Sequence, residues 1–182
     1  MKRLVASIAL LAVAACAGPP SQPASEPIVY RAPAVRTLPA PVSQIADYLI
    51  VDKSDRMLVA YSRGQPIRVY YGLQFGDAPM GHKRFEGDER TPEGVYTIDT
   101  RNPRSSFHLS LRISYPNRND RAFAAQYGRS PGGDIFIHGQ PTGYRGPTLG
   151  GDWTDGCIAL TNAEIEELWS IVPDGTPIEI RQ

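Results

Sequence analysis

Cysteine is almost absent from this 182-residue chain, which holds two, Cys16 and Cys157, beside three histidines and two tryptophans. Cys16 lies at the end of an N-terminal apolar stretch, so the folded part keeps one thiol and no disulfide framework can stabilise it. The histidines have neither a partner at His-x-x-x-His spacing nor a Cys-x-x-Cys beside them. No metal site is expected, and no cofactor. Neither sign of charge is in excess, with 19 Lys and Arg against 19 Asp and Glu. That excludes the basic field a nucleic-acid partner requires. Long apolar runs are missing as well, since the stretch from Leu4 to Ala15 is too short to span a bilayer.

What is present starts with export. Lys2-Arg3 ahead of that stretch gives residues 1–15 the charge and length of a signal peptide. Val13-Ala14-Ala15-Cys16 resembles a bacterial lipobox, in which Cys16 becomes the lipidated first residue of the mature protein. Ala15-Cys16-Ala17 also fits an Ala-x-Ala cleavage site, which would discard Cys16 and release a soluble periplasmic protein. With the lipobox, Ala17 in place of Asp points to a periplasmic protein lipid-anchored to the outer membrane. Residues 16–44 are rich in Pro, Ser and Ala without apolar periodicity, the composition of a disordered tether. Residues 45–182 then suffice for one domain with one core, expected as a monomer.

Within that domain, Tyr48 to Asp52, Met57 to Tyr61 and Ile67 to Tyr71 read as short strands, followed by a long polar connection to a strand at Val95 to Asp99. Phe107, Leu109, Leu111 and Ile113 alternate with His108, Ser110, Arg112 and Ser114, the period of a half-buried strand. Asp120 to Tyr127 reads as a short helix and Asp134 to His138 as a strand. Thr161-Asn162-Ala163-Glu164 is a capping-box pattern that opens an amphipathic helix through Ile165, Leu168, Trp169 and Val172. Pro177 to Ile180 closes the chain as a strand. The expected class is mainly β (α+β), with one prominent C-terminal helix.

The chemistry gathers near the C-terminus. Ile135-Phe136-Ile137-His138-Gly139 and Asp155-Gly156-Cys157-Ile158-Ala159-Leu160 are apolar runs joined by a glycine-rich loop, and neighbouring strands would bring His138 to Cys157. A thiol attacks a carbonyl as the thiolate, so a catalytic cysteine needs an imidazole to take its proton. Gly156 allows close backbone approach or φ > 0, and the amides around Gly156 and Cys157 are candidates for an oxyanion site.

Ile137-His138-Gly139, the glycine-rich loop and Thr154-Asp155-Gly156-Cys157 together resemble the signature of the L,D-transpeptidase (YkuD-type) catalytic domain family. Gly87-Asp88 and Thr91-Pro92-Glu93-Gly94-Val95-Tyr96 are similar to a second segment of that family. The resemblance implies a β-sandwich or barrel-like domain acting on peptidoglycan stem peptides. Cys157 would be acylated at the L-centre of diaminopimelate, expelling D-alanine. His138 would serve as base and then acid, and the Gly139 carbonyl would hold its other nitrogen. Two positions depart from the family pattern. Asp155 stands where the family has His, and Ala159 where it often has Arg; both resemble the subgroup that releases wall-bound lipoprotein. The acyl acceptor is therefore open among a second stem, a protein lysine and water.

In a strand-like segment Asp155 would share a face with Cys157 and raise its pKa, so a partner is expected in His138, an arginine or a substrate amine. The alternative is a side chain turned to solvent or capping a turn. Tyr115 and Asn117 are expected in a turn shaping the groove. His108 is expected in the cleft or exposed on its strand, and Trp153 as a lid or substrate platform or as an ordinary core or loop aromatic. Asp88, Glu89 and Arg90 are expected in a solvated loop with a local ion pair.

Overall fold

The structure is a computed structural model that describes residues 45–182. The expected signal peptide, 1–15, and the expected tether, 16–44, with Cys16, lie outside the described residues. Ten elements run in the order β1 (Tyr48–Asp52), β2 (Met57–Ser62), β3 (Gln65–Tyr71), β4 (Gly94–Ser105), β5 (His108–Ile113), α1 (Arg118–Gln126), β6 (Phe136–His138), β7 (Ile158–Ala159), α2 (Asn162–Ile171) and β8 (Pro177–Arg181). The eight strands form one mixed sheet in the order β3-β2-β1-β8-β4-β5-β6-β7. Strand β8 enters between β1 and β4, parallel to the first and antiparallel to the second.

Burial explains the meander. Leu49 and Val51 alternate inward along β1 and are fully buried, as are Leu58 of β2 and Ile178 of β8. After β3 the chain curls across to the far end of the sheet, where Gln74 and Ala159 exchange backbone hydrogen bonds of 3.1 and 2.8 Å. That bridge ties the two ends of the sheet together around the core, the barrel-like one of the two forms, sandwich or barrel-like, that the family resemblance implies.

Strand β4 runs on to Ser105, well past the expected end at Asp99. Its first half pairs with β8 and its second with β5, with register shifts after Ile98 and Asn102. The segment from Thr100 to Ser105 has no apolar alternation to betray it, because its residues are exposed or half-buried. Phe107 lies in the tight β4–β5 turn, outside the strand, its N–H donating to Ser105 Oγ at 3.0 Å. Ser110, expected on the polar face, is buried.

The two helices are nearly equal in length, nine and ten residues, so α2 is not the single prominent one. Asn117 starts α1 by accepting from the Asn119 and Asp120 amides while Asp120 accepts from the Asn117 N–H, a reciprocal capping box. Thr161 and Glu164 cap α2 in the same way. Ile165 and Leu168 of α2 are fully buried, each such side chain contributing roughly 2 kcal/mol of burial. Helix α2 packs on β5 and β6 and so backs the strand carrying His138. Among the described residues no helix is long and apolar enough to cross a membrane.

Candidate active site

Parallel pairing of β6 with β7 sets Ile137 opposite Ile158 and His138 opposite Ala159. Cys157, one residue before β7, thereby reaches the β6 backbone, and its Sγ accepts from the Phe136 N–H at 3.4 Å and lies 3.5 Å from the Asp134 carbonyl. Both Cys157 and His138 line one cavity of about 640 Å³, together with Ser110, Phe136, Phe107 and Trp153. Pairing of adjacent strands thus does what the long intervening loop could not do alone.

The imidazole is buried, and its Nδ1 lies 2.7 Å from the Gly139 carbonyl. A carbonyl only accepts, so Nδ1 carries the proton and the neutral ring leaves Nε2 as its basic atom. Phe107 and Trp153 flank the ring at centroid separations of 4.6 and 5.6 Å. Burial holds the His138 pKa below its ordinary value, opposed by the Gly139 hydrogen bond. The half-buried thiol is pushed up to about 11, first by burial and also by Asp155 and Asp134, against the Phe136 amide and Lys83, which lower it. Near neutral pH both groups are therefore uncharged, a thiol and a neutral imidazole lining one cavity with no hydrogen bond between them in this structure.

The turn that carries the thiol is tied internally. Thr154 Oγ1 donates to the Cys157 carbonyl at 2.8 Å and accepts from the Gly156 N–H at 3.2 Å. The Gly156 amide is thus already engaged and is not free for an oxyanion. Gly156 has φ +115°, and a Cβ there would lie 2.4 Å from the Arg90 carbonyl, so only glycine fits. Gly139 is required for a different reason. A Cβ on it would meet Asn162 Oδ1 at 2.6 Å and α2 at Ile165.

Two buried glutamines, given no role by the sequence reading, brace the glycine-rich loop. Gln140 Nε2 donates to the Leu160 carbonyl at 2.7 Å and to Gln74 Oε1 at 3.2 Å, while its Oε1 accepts from the Leu149 N–H at 2.8 Å. Gln74 Nε2 donates to the Leu149 and Gly151 carbonyls, and its Oε1 accepts from Trp153 Nε1 at 3.1 Å. Arg56 grips Asp152 through two bonds of 2.7 Å, and Asp152 also accepts from the Phe75 N–H. The only sequence signal for Gln74 and Gln140 was a long-chain amide beside an apolar run, too common to single out.

Comparison with known proteins gives this geometry a family. The L,D-transpeptidase catalytic domain model (YkuD) matches residues 46–180. The chain belongs to the L,D-transpeptidase catalytic domain family. YafK of Escherichia coli strain K12, which carries a provisional L,D-transpeptidase name, is 27% identical over 130 residues, covering 69% of this chain and 46% of YafK. The chain thus spans about half the length of that relative. The crystal structure of the helical cell shape determining protein Pgp2 from Campylobacter jejuni is similar at TM-score 0.60 and 27% identity, over 77% of this chain and 49% of Pgp2. Bd1075 of Bdellovibrio bacteriovorus is similar at TM-score 0.53 and 27% identity, over 76% of this chain and 51% of Bd1075. An L,D-transpeptidase from Mycobacterium smegmatis shares the fold at TM-score 0.50 and 15% identity, over 75% of this chain and 59% of that one.

In this L,D-transpeptidase domain the remaining expected site residues separate. Trp153 lines the cavity with Cys157 and His138. His108 does not, because its φ of +66° turns it to Glu166 of α2, with Nε2 2.6 Å from the carboxylate. Tyr115 and Asn117 line a neighbouring cavity that adjoins the first at Gly133 and Asp134. Tyr115 is buried with its hydroxyl on the Pro131 carbonyl, and Asn117 is spent as the α1 cap. Asp155 is exposed on the cavity rim and, among the described residues, makes no hydrogen bond or ion pair. Asp88 is no solvated loop carboxylate. It accepts from the Arg84, Phe85 and Arg90 amides and from buried Lys83.

Proposed function

We propose that the domain is a cysteine acyltransferase of peptidoglycan stem peptides, with Cys157 as nucleophile and His138 as its base. The observation that carries this reading is the tautomer, since the Gly139 carbonyl accepts a hydrogen bond from Nδ1–H and leaves Nε2 as the basic atom of a ring that lines the same cavity as Cys157. Sγ adds to the scissile carbonyl carbon at the L-centre of diaminopimelate as its proton passes to Nε2. Collapse of the tetrahedral adduct breaks the bond to nitrogen, and the imidazolium returns the proton to the departing D-alanine amine. A thioester remains on Cys157. An amine or water then attacks the thioester as Nε2 accepts its proton, the C–S bond breaks, and the imidazolium returns that proton to Sγ, restoring the thiol.

Asp155 bears on the acceptor. A carboxylate on the rim near the thiol, without a partner among the described residues, attracts a cationic amine, which favours transfer to a second stem or a protein lysine over hydrolysis. The subgroup resemblance supports the second reading, an amidase that releases wall-linked lipoprotein. A third, a wall-binding protein without turnover, has against it the intact His138 tautomer and the cavity shared with the thiol. Disaccharide-tetrapeptide incubated with the full chain and followed by mass spectrometry separates them: cross-linked dimer for transfer, tripeptide for hydrolysis. Absence of both products, with Cys157 unmodified by a carbapenem, overturns the acyltransferase reading. The expected place of action remains the periplasm, with the outer membrane as anchor if Cys16 is lipidated.

A further inference from the structure

The Thr-Pro-Glu-Gly block has no part in the acyl-transfer steps, yet it lies against the nucleophile turn. Thr91 is fully buried, and its hydroxyl donates to the Gly156 carbonyl at 2.9 Å. The Arg90 carbonyl fills the space where a Cβ on Gly156 would sit. Behind them stands Lys53, a buried ammonium with no other duty in the site. Its Nζ donates to the Gly81 carbonyl at 2.7 Å, to Glu93 Oε1 at 2.7 Å and, more weakly, to the Thr91 carbonyl at 3.5 Å. The Lys83 N–H also donates to that carbonyl, at 3.3 Å. Lys53 is itself fixed to the sheet, since its N–H donates to the Arg181 carbonyl at the end of β8.

We propose that Thr91 is the positioning residue for the nucleophile, a buried clamp anchored by Lys53 that sets the direction of the Gly156–Cys157 peptide. The inference rests on the acyltransferase reading for its catalytic consequence, but not for its structural one. A peptide unit is planar, with the carbonyl and the following N–H pointing oppositely. Holding the Gly156 carbonyl on Thr91 therefore directs the Cys157 N–H away from Thr91 and sets the plane from which the thiol-bearing side chain departs. Thr154 closes the turn from within, but its hydroxyl bonds only groups of the same turn. The Thr154 and Trp153 N–H groups hold the start of that turn on the Phe75 carbonyl, and Thr91 is the side chain that holds its far end, at Gly156.

The test uses the full chain with Thr91→Val, which keeps the shape and deletes the hydroxyl, and Thr91→Ser, which restores it. Two quantities are read at matched folded fraction: steady-state turnover of disaccharide-tetrapeptide, and the pH profile of iodoacetamide alkylation at Cys157 mapped by mass spectrometry. With Thr91→Val, kcat falls about tenfold or more while KM stays within about twofold, because presentation of the thiol rather than substrate binding is lost. The alkylation midpoint moves down from about 11 towards an ordinary thiol of about 9 as the loosened turn meets solvent. Thr91→Ser returns both to wild type. A Thr91→Val protein that keeps either the wild-type kcat or the wild-type alkylation profile overturns the proposal. Should Thr91→Val not fold, Thr91→Ala serves under the same criteria. If the wild-type chain forms no product, the acyltransferase reading fails, while the alkylation profiles still decide the clamp.

Discussion

Alkylation of Cys157 across pH tests the electrostatics of the site most directly. The thiol is raised to about 11, first by burial, while His138 is held low by burial, so the resting pair is neutral. At pH 7 a thiol of that pKa is ionised to about one part in 10⁴, and the fraction climbs tenfold per unit. Iodoacetamide alkylation, mapped to Cys157 by mass spectrometry, is expected to rise roughly 10³-fold between pH 7 and 10 without levelling. A resting thiolate–imidazolium pair behaves otherwise, with a plateau already established by about pH 7. A plateau below pH 9 would falsify the neutral pair and, with it, the role of His138 as a base awaiting substrate. Stability follows the same shifts. A raised thiol stabilises the fold below the unfolded pKa, and that contribution is lost as pH climbs from about 9 to about 11, on the order of 3 kcal/mol in all. A lowered imidazole acts at the other end. Its contribution is present above about 6.5 and is lost as pH falls towards the folded value.

Gly156→Ala must move the Arg90 carbonyl or abandon φ +115°, so a loss of turnover of about a hundredfold is expected, with melting lowered as well; wild-type kinetics would show that the turn is plastic. Leu168→Ala empties a fully buried position of α2 and should cost about 3 kcal/mol in chemical denaturation while leaving the Cys157 alkylation profile in place. Asp155→Asn removes a charge that raises the thiol, so the alkylation midpoint should fall, yet turnover should drop about tenfold or more if the carboxylate meets a substrate amine. Unchanged turnover would leave Asp155 a solvent-facing residue.

Much of the fold was readable where burial imposes a period. Strand β5 declared itself through alternation, β1 and β2 as short runs rich in Val, Ile and Tyr, and α2 through its capping box and apolar stripe. The second half of β4 did not. It is a long polar arm that pairs through its backbone, and backbone pairing leaves no mark on side-chain choice. Phe107 misled for a related reason. It continued the alternation of β5 in sequence, but the chain had already turned, and its ring lies beside His138.

The sequence by itself singled out Cys157 and His138 as the candidate pair, with the glycines beside them, because a rare thiol and a histidine in flanked motifs are local facts. Only the tertiary structure decided the protonation and the framing of that pair. Burial raises the thiol, the Gly139 carbonyl selects the imidazole tautomer, and Asp155 has no partner among the described residues. Thr91, 65 residues before Gly156, reaches its carbonyl through a buried hydrogen bond. Contacts across such separations arise from strand order and loop closure, and the side chains that make them look ordinary until the chain is folded.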